Sequence, residues 1–206
     1  VQSFYAQLLS IGKLSRQHYY FIFGFLLYLL VQFCLFKPIR TYVFGHELTH
    51  ILWSLLFGGR VKSFKISKTG GRVLLTRTNF LIRLAPYFFP LYSILVLAMY
   101  YVLGLFMTVT QYHPYLLFLL GFTLSFHLAL TLHALRPTQK DIQDSGGAVF
   151  SMLIVFMANL MFIIIIMKAV FPLEIGIGSF FSQGWFYSLS VFKRVIIFFS
   201  GGRFIV

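Results

Sequence analysis

Acid is almost missing from this chain. Its four acidic residues, Glu47, Asp141, Asp144 and Glu174, stand against 17 Lys and Arg among 206 residues. Near the interior of a bilayer a carboxylate costs roughly 2.5 kcal/mol or more unless it is paired or bound to metal, so an acid inside an apolar run needs a reason. Cysteine is scarcer still. Cys34 stands alone inside an apolar run, which excludes a disulfide framework and a Cys-based metal cluster and reads as a small buried apolar residue. Charged residues make up only 10% of the chain against 59% hydrophobic and 20% aromatic, more apolar surface than a soluble domain of this size can bury. There is no internal repeat and nothing with the form of a cleavable signal peptide, and the sequence begins at Val1 without methionine, as a trimmed chain does.

What is present instead is a succession of apolar runs near or above the roughly 20 residues that cross a bilayer. They recur along the whole length and predict an all-α polytopic membrane protein, a bundle of about five or six transmembrane helices with a small β-hairpin, forming one membrane domain over 1–206. Residues 1–17 are expected at the interface and a first span over 18–36, closed by Lys37, Pro38 and Arg40. A second helix over 41–57 ends at Gly58-Gly59. Residues 60–83 hold seven basic residues and no acid, and Val61–Ile66 and Arg72–Leu75 flank Thr69-Gly70-Gly71 as a hairpin would. A third span over 82–109 is broken by Pro86 and Pro90, and a fourth covers 115–135. Thr138 to Gly147 then opens a long apolar helix to about Phe171, with Thr138 or Asp141 as its N-cap. The flanking segment 185–199, interrupted by Lys193-Arg194, either spans or lies in the interface.

The basic residues gather between these runs, where anionic headgroups account for them, so the lipid bilayer and not nucleic acid is the expected partner. The loops over 60–83 and 136–140 are basic, while 110–114 and 171–184 carry no Lys or Arg. That alternation predicts an N-terminus on the cytoplasmic side; the expected location is a bacterial cytoplasmic membrane, as an integral protein.

The chemistry concentrates in Gly45-His46-Glu47-Leu48-Thr49-His50. In a helix, residues four apart share a face, so His46 and His50 can offer imidazole nitrogens to one Zn²⁺. Glu47 beside them is placed to act as catalytic base toward a metal-activated water. With six His and two Glu in the chain, such a match arises by chance on the order of a few times in a thousand. Two core histidines bonding neighbouring helices would be the bland explanation, and it leaves Glu47 without a role. For a third ligand the candidates are Asp141 and Asp144, three apart on a helix, with Ser145-Gly146-Gly147-Ala148 beyond them permitting close helix approach; the alternative is that both cap a helix N-terminus. His127 and His133 are rivals, or groups behind the ligands or near an oxyanion, and Asn159 would orient substrate or bond across the bundle.

His46-Glu47-Leu48-Thr49-His50 in a membrane helix, a hairpin-like segment after it, and an Asp followed by Gly-Gly opening a later helix together resemble the site-2 protease family of intramembrane zinc metalloproteases. The resemblance covers roughly residues 41–165 and identifies the chain as similar to a divergent member. It implies that His46, His50 and an aspartate hold one Zn²⁺ and that Glu47 is the base. Here the family's Asp-Gly is replaced by Asp144-Ser145-Gly146-Gly147, and Asp141-Ile142-Gln143 fits the divergent branch about as well, with Asp141 slightly ahead. The family core has one span between the histidine and aspartate helices, whereas the apolar runs here place two. A short histidine helix, a re-entrant segment near Pro86 and Pro90, or aspartates dipping inward would each restore contact.

The expected function is that of a zinc-dependent intramembrane endopeptidase acting on membrane-embedded protein substrates in regulated intramembrane proteolysis. A substrate helix must unwind before its backbone can be hydrolysed, and the hairpin, with Phe64, Lys65 and Ile66, is the expected place for the freed strand to add. The alternative is a non-catalytic membrane protein that keeps the motif for metal binding or structure. A transporter would show paired half-helices and internal symmetry, and the sequence has neither.

Overall fold

The computed structural model describes residues 1–199 apart from 13, 36, 67–69 and 136–138. Among these it is mostly helical, with one two-stranded antiparallel sheet. Backbone contacts divide the chain into two units, one of residues 14–162 and one of residues 1–13 with 163–206.

In the larger unit α2 (His18–Cys34) packs on α6 (His113–Ala134). Two glycines set their distance: a Cβ on Gly24 would lie 2.1 Å from the Phe118 carbonyl oxygen, and one on Gly121 would lie 2.0 Å from that of Phe21. Only glycine permits this approach, the small-residue contact typical of helices packed in lipid. Around it Tyr28, Phe126 and Leu130 form an apolar cluster.

The motif helix α3 (Ile39–Leu56) starts after Pro38, whose φ of −76° and ψ of 61° make an inverse γ-turn closed by Ile39 N–H donating to the Lys37 carbonyl. It stops where the glycine pair predicts. Gly58 takes φ +71°, and the Gly58 and Gly59 amides donate to the Leu55 and Ser54 carbonyls, a Schellman ending. The expected hairpin follows as β1 (Val61–Ile66) and β2 (Gly71–Leu75), with Phe64 opposite Val73, Lys65 opposite Arg72 and Ile66 opposite Gly71.

The run expected as a third span is two helices, α4 (Phe80–Phe88) and α5 (Leu91–Gly104), bent by 76° at their junction. Pro90 makes the corner as another inverse γ-turn, with φ −77°, ψ 71° and Leu91 N–H donating to the Phe89 carbonyl. Asn79 caps α4, its side chain accepting from Ile82 N–H at 2.8 Å. The long helix expected from the 138–147 region is also broken. A short α7 (Lys140–Gln143) ends in a turn through Gly146 and Gly147 at φ +108° and +89°, and α8 (Ala148–Val170) begins after it. Asp141 therefore lies inside α7 and does not cap the long helix; Thr138 lies outside the described residues.

In the smaller unit α1 (Gln2–Leu9) lies against α9 (Ile177–Phe199). Its buried residues are polar: Ser3 donates to the Phe180 carbonyl, and Gln7 donates to Ser179 Oγ at 3.0 Å and accepts from Gly176 N–H at 2.9 Å.

Among the described residues two helices, the one ending at Ala134 and α8, are long and apolar enough to cross a membrane, or up to four spans if each bent pair counts as one. That is fewer than the five or six expected: α2, α4 and α5 have only 17, 9 and 14 residues, and α3, at 18, qualifies only together with α2. The distribution of side chains fits lipid surroundings. Leu26, Phe33, Leu95, Met99, Leu153 and Phe156 are exposed, while Ser93, Ser125, Thr131 and His127 are buried.

Candidate metal centre

His46 and His50 project from one face of α3, as their spacing requires. Opposite them stands Asp141 of α7, its Oδ2 3.5 Å from His46 Nε2 and 3.7 Å from His50 Nε2. One donor atom from each of the three residues falls within 4.8 Å of the others, a group able to hold a metal ion. The separations fit a shared metal. A plain imidazole–carboxylate hydrogen bond would close to about 2.7–3.2 Å. Ligands about 2.0–2.1 Å from a tetrahedral zinc lie about 3.4 Å from one another, which is near what is seen. His46 Nδ1 is buried with no hydrogen-bond partner among the described residues, which leaves Nε2 as the nitrogen that pairs, toward Asp141.

Asp141 reaches this position because α7 is anchored on both sides. Ile142 is fully buried beside Leu84, Ala85, Tyr87 and Phe88 of α4 and Val155 of α8. The Ile142 carbonyl accepts from Ser151 Oγ at 2.8 Å, and Ser145 Oγ donates to the Asp141 carbonyl. Burial would raise the Asp141 carboxyl, but the facing imidazoles of His46 and His50 outweigh it and hold it well below the usual carboxylate range. It is ionised at neutral pH, as a metal ligand must be. His50 is fixed from its other side, its Nδ1 lying 2.8 Å from the Ile82 carbonyl oxygen. A carbonyl can only accept, so Nδ1 carries a proton there; when the ring is neutral its lone pair is on Nε2, the nitrogen on the Asp141 side, where a metal would take it.

Glu47 is half-buried on α3, and no hydrogen bond or ion pair engages its carboxylate among the described residues. It lies against β2: a Cβ on Gly71 would sit 2.4 Å from Glu47 Cγ and 2.8 Å from Oε1. The hairpin is thereby seated at the motif, with Phe64 of β1 packing edge-on against Phe44 of α3 and Ile66 opposite Gly71.

The other sequence candidates separate. Asp144 points away, 55% exposed, its carboxylate 3.6 Å from Arg83, whose guanidinium also donates to the Asp144 carbonyl at 2.7 Å. His133 is exposed in the last turn of α6. His127 is buried, 3.2 Å from Asn159 Oδ1, and lines a narrow cleft together with His46, Thr49, Pro86 and Tyr92. Asn159 donates in turn to the Tyr87 carbonyl at 2.8 Å.

Two residues with clear places here were not marked by the sequence. Tyr87 is buried, its hydroxyl donating to Asp141 Oδ2 at 3.3 Å and its ring standing edge-on to His46 at 5.2 Å. Its signal was a polar-tipped aromatic between two prolines. Gly71 is in sequence terms only a turn residue, and its closeness to Glu47 is a matter of tertiary packing. No family model, curated protein or solved structure matches the chain.

Proposed function

We propose that this chain is a zinc-dependent intramembrane endopeptidase of the site-2 protease type, hydrolysing peptide bonds of transmembrane or membrane-anchored proteins in regulated intramembrane proteolysis. The observation that carries the reading is the convergence of His46, His50 and Asp141 on one point, with Glu47 next to His46 on the same helix. Two imidazoles and a carboxylate are a catalytic zinc donor set that leaves a fourth position open. His46, His50 and Asp141 would hold the zinc, which would supply Lewis acidity toward a carbonyl and water.

Glu47 accepts the proton of the attacking water and returns it to the leaving amine, a role suited to a carboxylate with no other partner. Tyr87 holds Asp141, and Asn159 holds the Tyr87 backbone while meeting His127 in the adjoining cleft. A substrate helix unwinds locally, and its extended segment adds to the hairpin at Phe64, Lys65 and Ile66, beside the strand that touches Glu47. The basic hairpin faces the cytoplasm in this reading.

The test uses purified protein in detergent micelles with a set of fluorogenic apolar peptides. Glu47→Gln retains zinc and lowers cleavage by about 10²–10⁴-fold, the usual contribution of a positioned base. Undiminished cleavage by that variant sinks the mechanism. Zinc binding by wild type without cleavage of any peptide would favour the non-catalytic metal-binding alternative.

A further inference from the structure

We propose that Pro86 is a positioning residue of the metal centre: it withholds an amide from the Ile82 carbonyl and so leaves that oxygen to orient His50. The inference rests on the metal-centre reading above and assigns it a backbone support.

In an α-helix each carbonyl accepts from the N–H four residues on. For Ile82 that residue is Pro86, inside α4, which has no N–H. The proline ring also crowds the carbonyl four residues back and tilts it out of the helical ladder. Ile82 is 1% exposed, so water does not readily replace the missing donor. The replacement is His50 Nδ1, at 2.8 Å. This bond ties the ring's proton to Nδ1 and keeps Nε2, the nitrogen facing Asp141 at 3.7 Å, as the free lone pair.

Pro86 is not needed to turn the chain, because the 76° bend between α4 and α5 falls at Pro90, which forms its own inverse γ-turn. The two prolines therefore divide the work. Pro90 makes the corner, and Pro86, four residues earlier on the helix beside α3, frees the acceptor that His50 uses.

The experiment measures zinc affinity by chelator competition, with ¹⁵N spectra of histidine-labelled protein, on the full chain in micelles. Two variants separate the missing amide from the ring itself: Pro86→Ala, which restores the N–H, and position 86 carrying lactic acid, an ester-linked unit with the alanine side chain and no N–H. Pro86→Ala is expected to weaken zinc by about 10–100-fold, the range seen when a partner behind a ligand is lost, and to shift the His50 Nδ1 resonance. The ester variant is expected to bind as wild type does. Equal zinc affinity and an unchanged His50 signal in Pro86→Ala would overturn the inference, as would an ester variant as weak as alanine. If Pro86→Ala fails to fold where the ester variant folds and binds zinc, the restored N–H is what the site does not tolerate, as the inference requires; failure of both overturns it. Wild-type protein that takes up no zinc would instead remove the metal-centre reading and this inference with it.

Discussion

A methyl group at Gly71 tests whether the hairpin holds Glu47 in its working position. The added Cβ would lie 2.4 Å from Glu47 Cγ, 2.8 Å from Oε1 and 2.9 Å from Cδ, where ordinary contact begins near 3.4 Å. Something must move by about 1 Å. The three nearest atoms belong to one half-buried side chain with no hydrogen bond among the described residues to give up, so Glu47 is what yields, and moving to an off-rotamer angle costs only about 0.5–1.5 kcal/mol. Stability in Gly71→Ala should therefore change little. A displacement of about 1 Å in a reacting group is worth about 10²-fold in rate, so the turnover number should fall by about that factor while zinc affinity stays at the wild-type value. Peptide cleavage in micelles reads the rate, and chelator competition reads the metal. Wild-type turnover in Gly71→Ala would refute the idea that β2 positions the base, and loss of zinc would show that the hairpin supports the ligands instead.

The two aspartates should part company on substitution: Asp141→Asn should weaken zinc by more than the 10–100-fold typical of an indirect partner, whereas Asp144→Asn should bind as wild type does, both read by chelator competition. At the α2–α6 crossing, Gly121→Ala puts a methyl 2.0 Å from the Phe21 carbonyl oxygen, and because backbone meets backbone the helices must separate, at a cost of about 1–3 kcal/mol in denaturant unfolding. Asn159→Ala leaves the buried Tyr87 carbonyl and His127 without partners and should destabilise by about 1–3 kcal/mol in the same measurement; no change would mean that water replaces the amide.

Local patterns were legible in the sequence. The i, i+4 histidines, the glycine pair that stops α3 and the alternation on either side of Thr69-Gly70-Gly71 each specify structure within a few residues, and each element appears within two residues of where it was expected. Apolar runs were legible as runs and not as spans. Hydropathy does not register that Pro90 turns the chain by 76° or that a turn at Gly146 and Gly147 separates α7 from α8, so the runs do not map one to one onto the two to four candidate spans among the described residues. The extra run between the histidine and aspartate helices does not keep them apart, since a bent α4–α5 pair and a separate α7 accompany the meeting of Asp141 with His46 and His50. Choosing Asp141 over Asp144 required knowing that Ile142 is buried against α4 and that Arg83 faces Asp144, both facts of tertiary packing. Tyr87 was invisible for a like reason, because its role depends on a neighbour 54 residues away.

Metal analysis of detergent-purified protein, unstripped and set beside His46→Ala, bears most directly on the claim that this constellation is a zinc centre. About one zinc per wild-type chain and none in the variant is the predicted result. Wild-type protein without zinc, or a variant that retains it, would contradict the account.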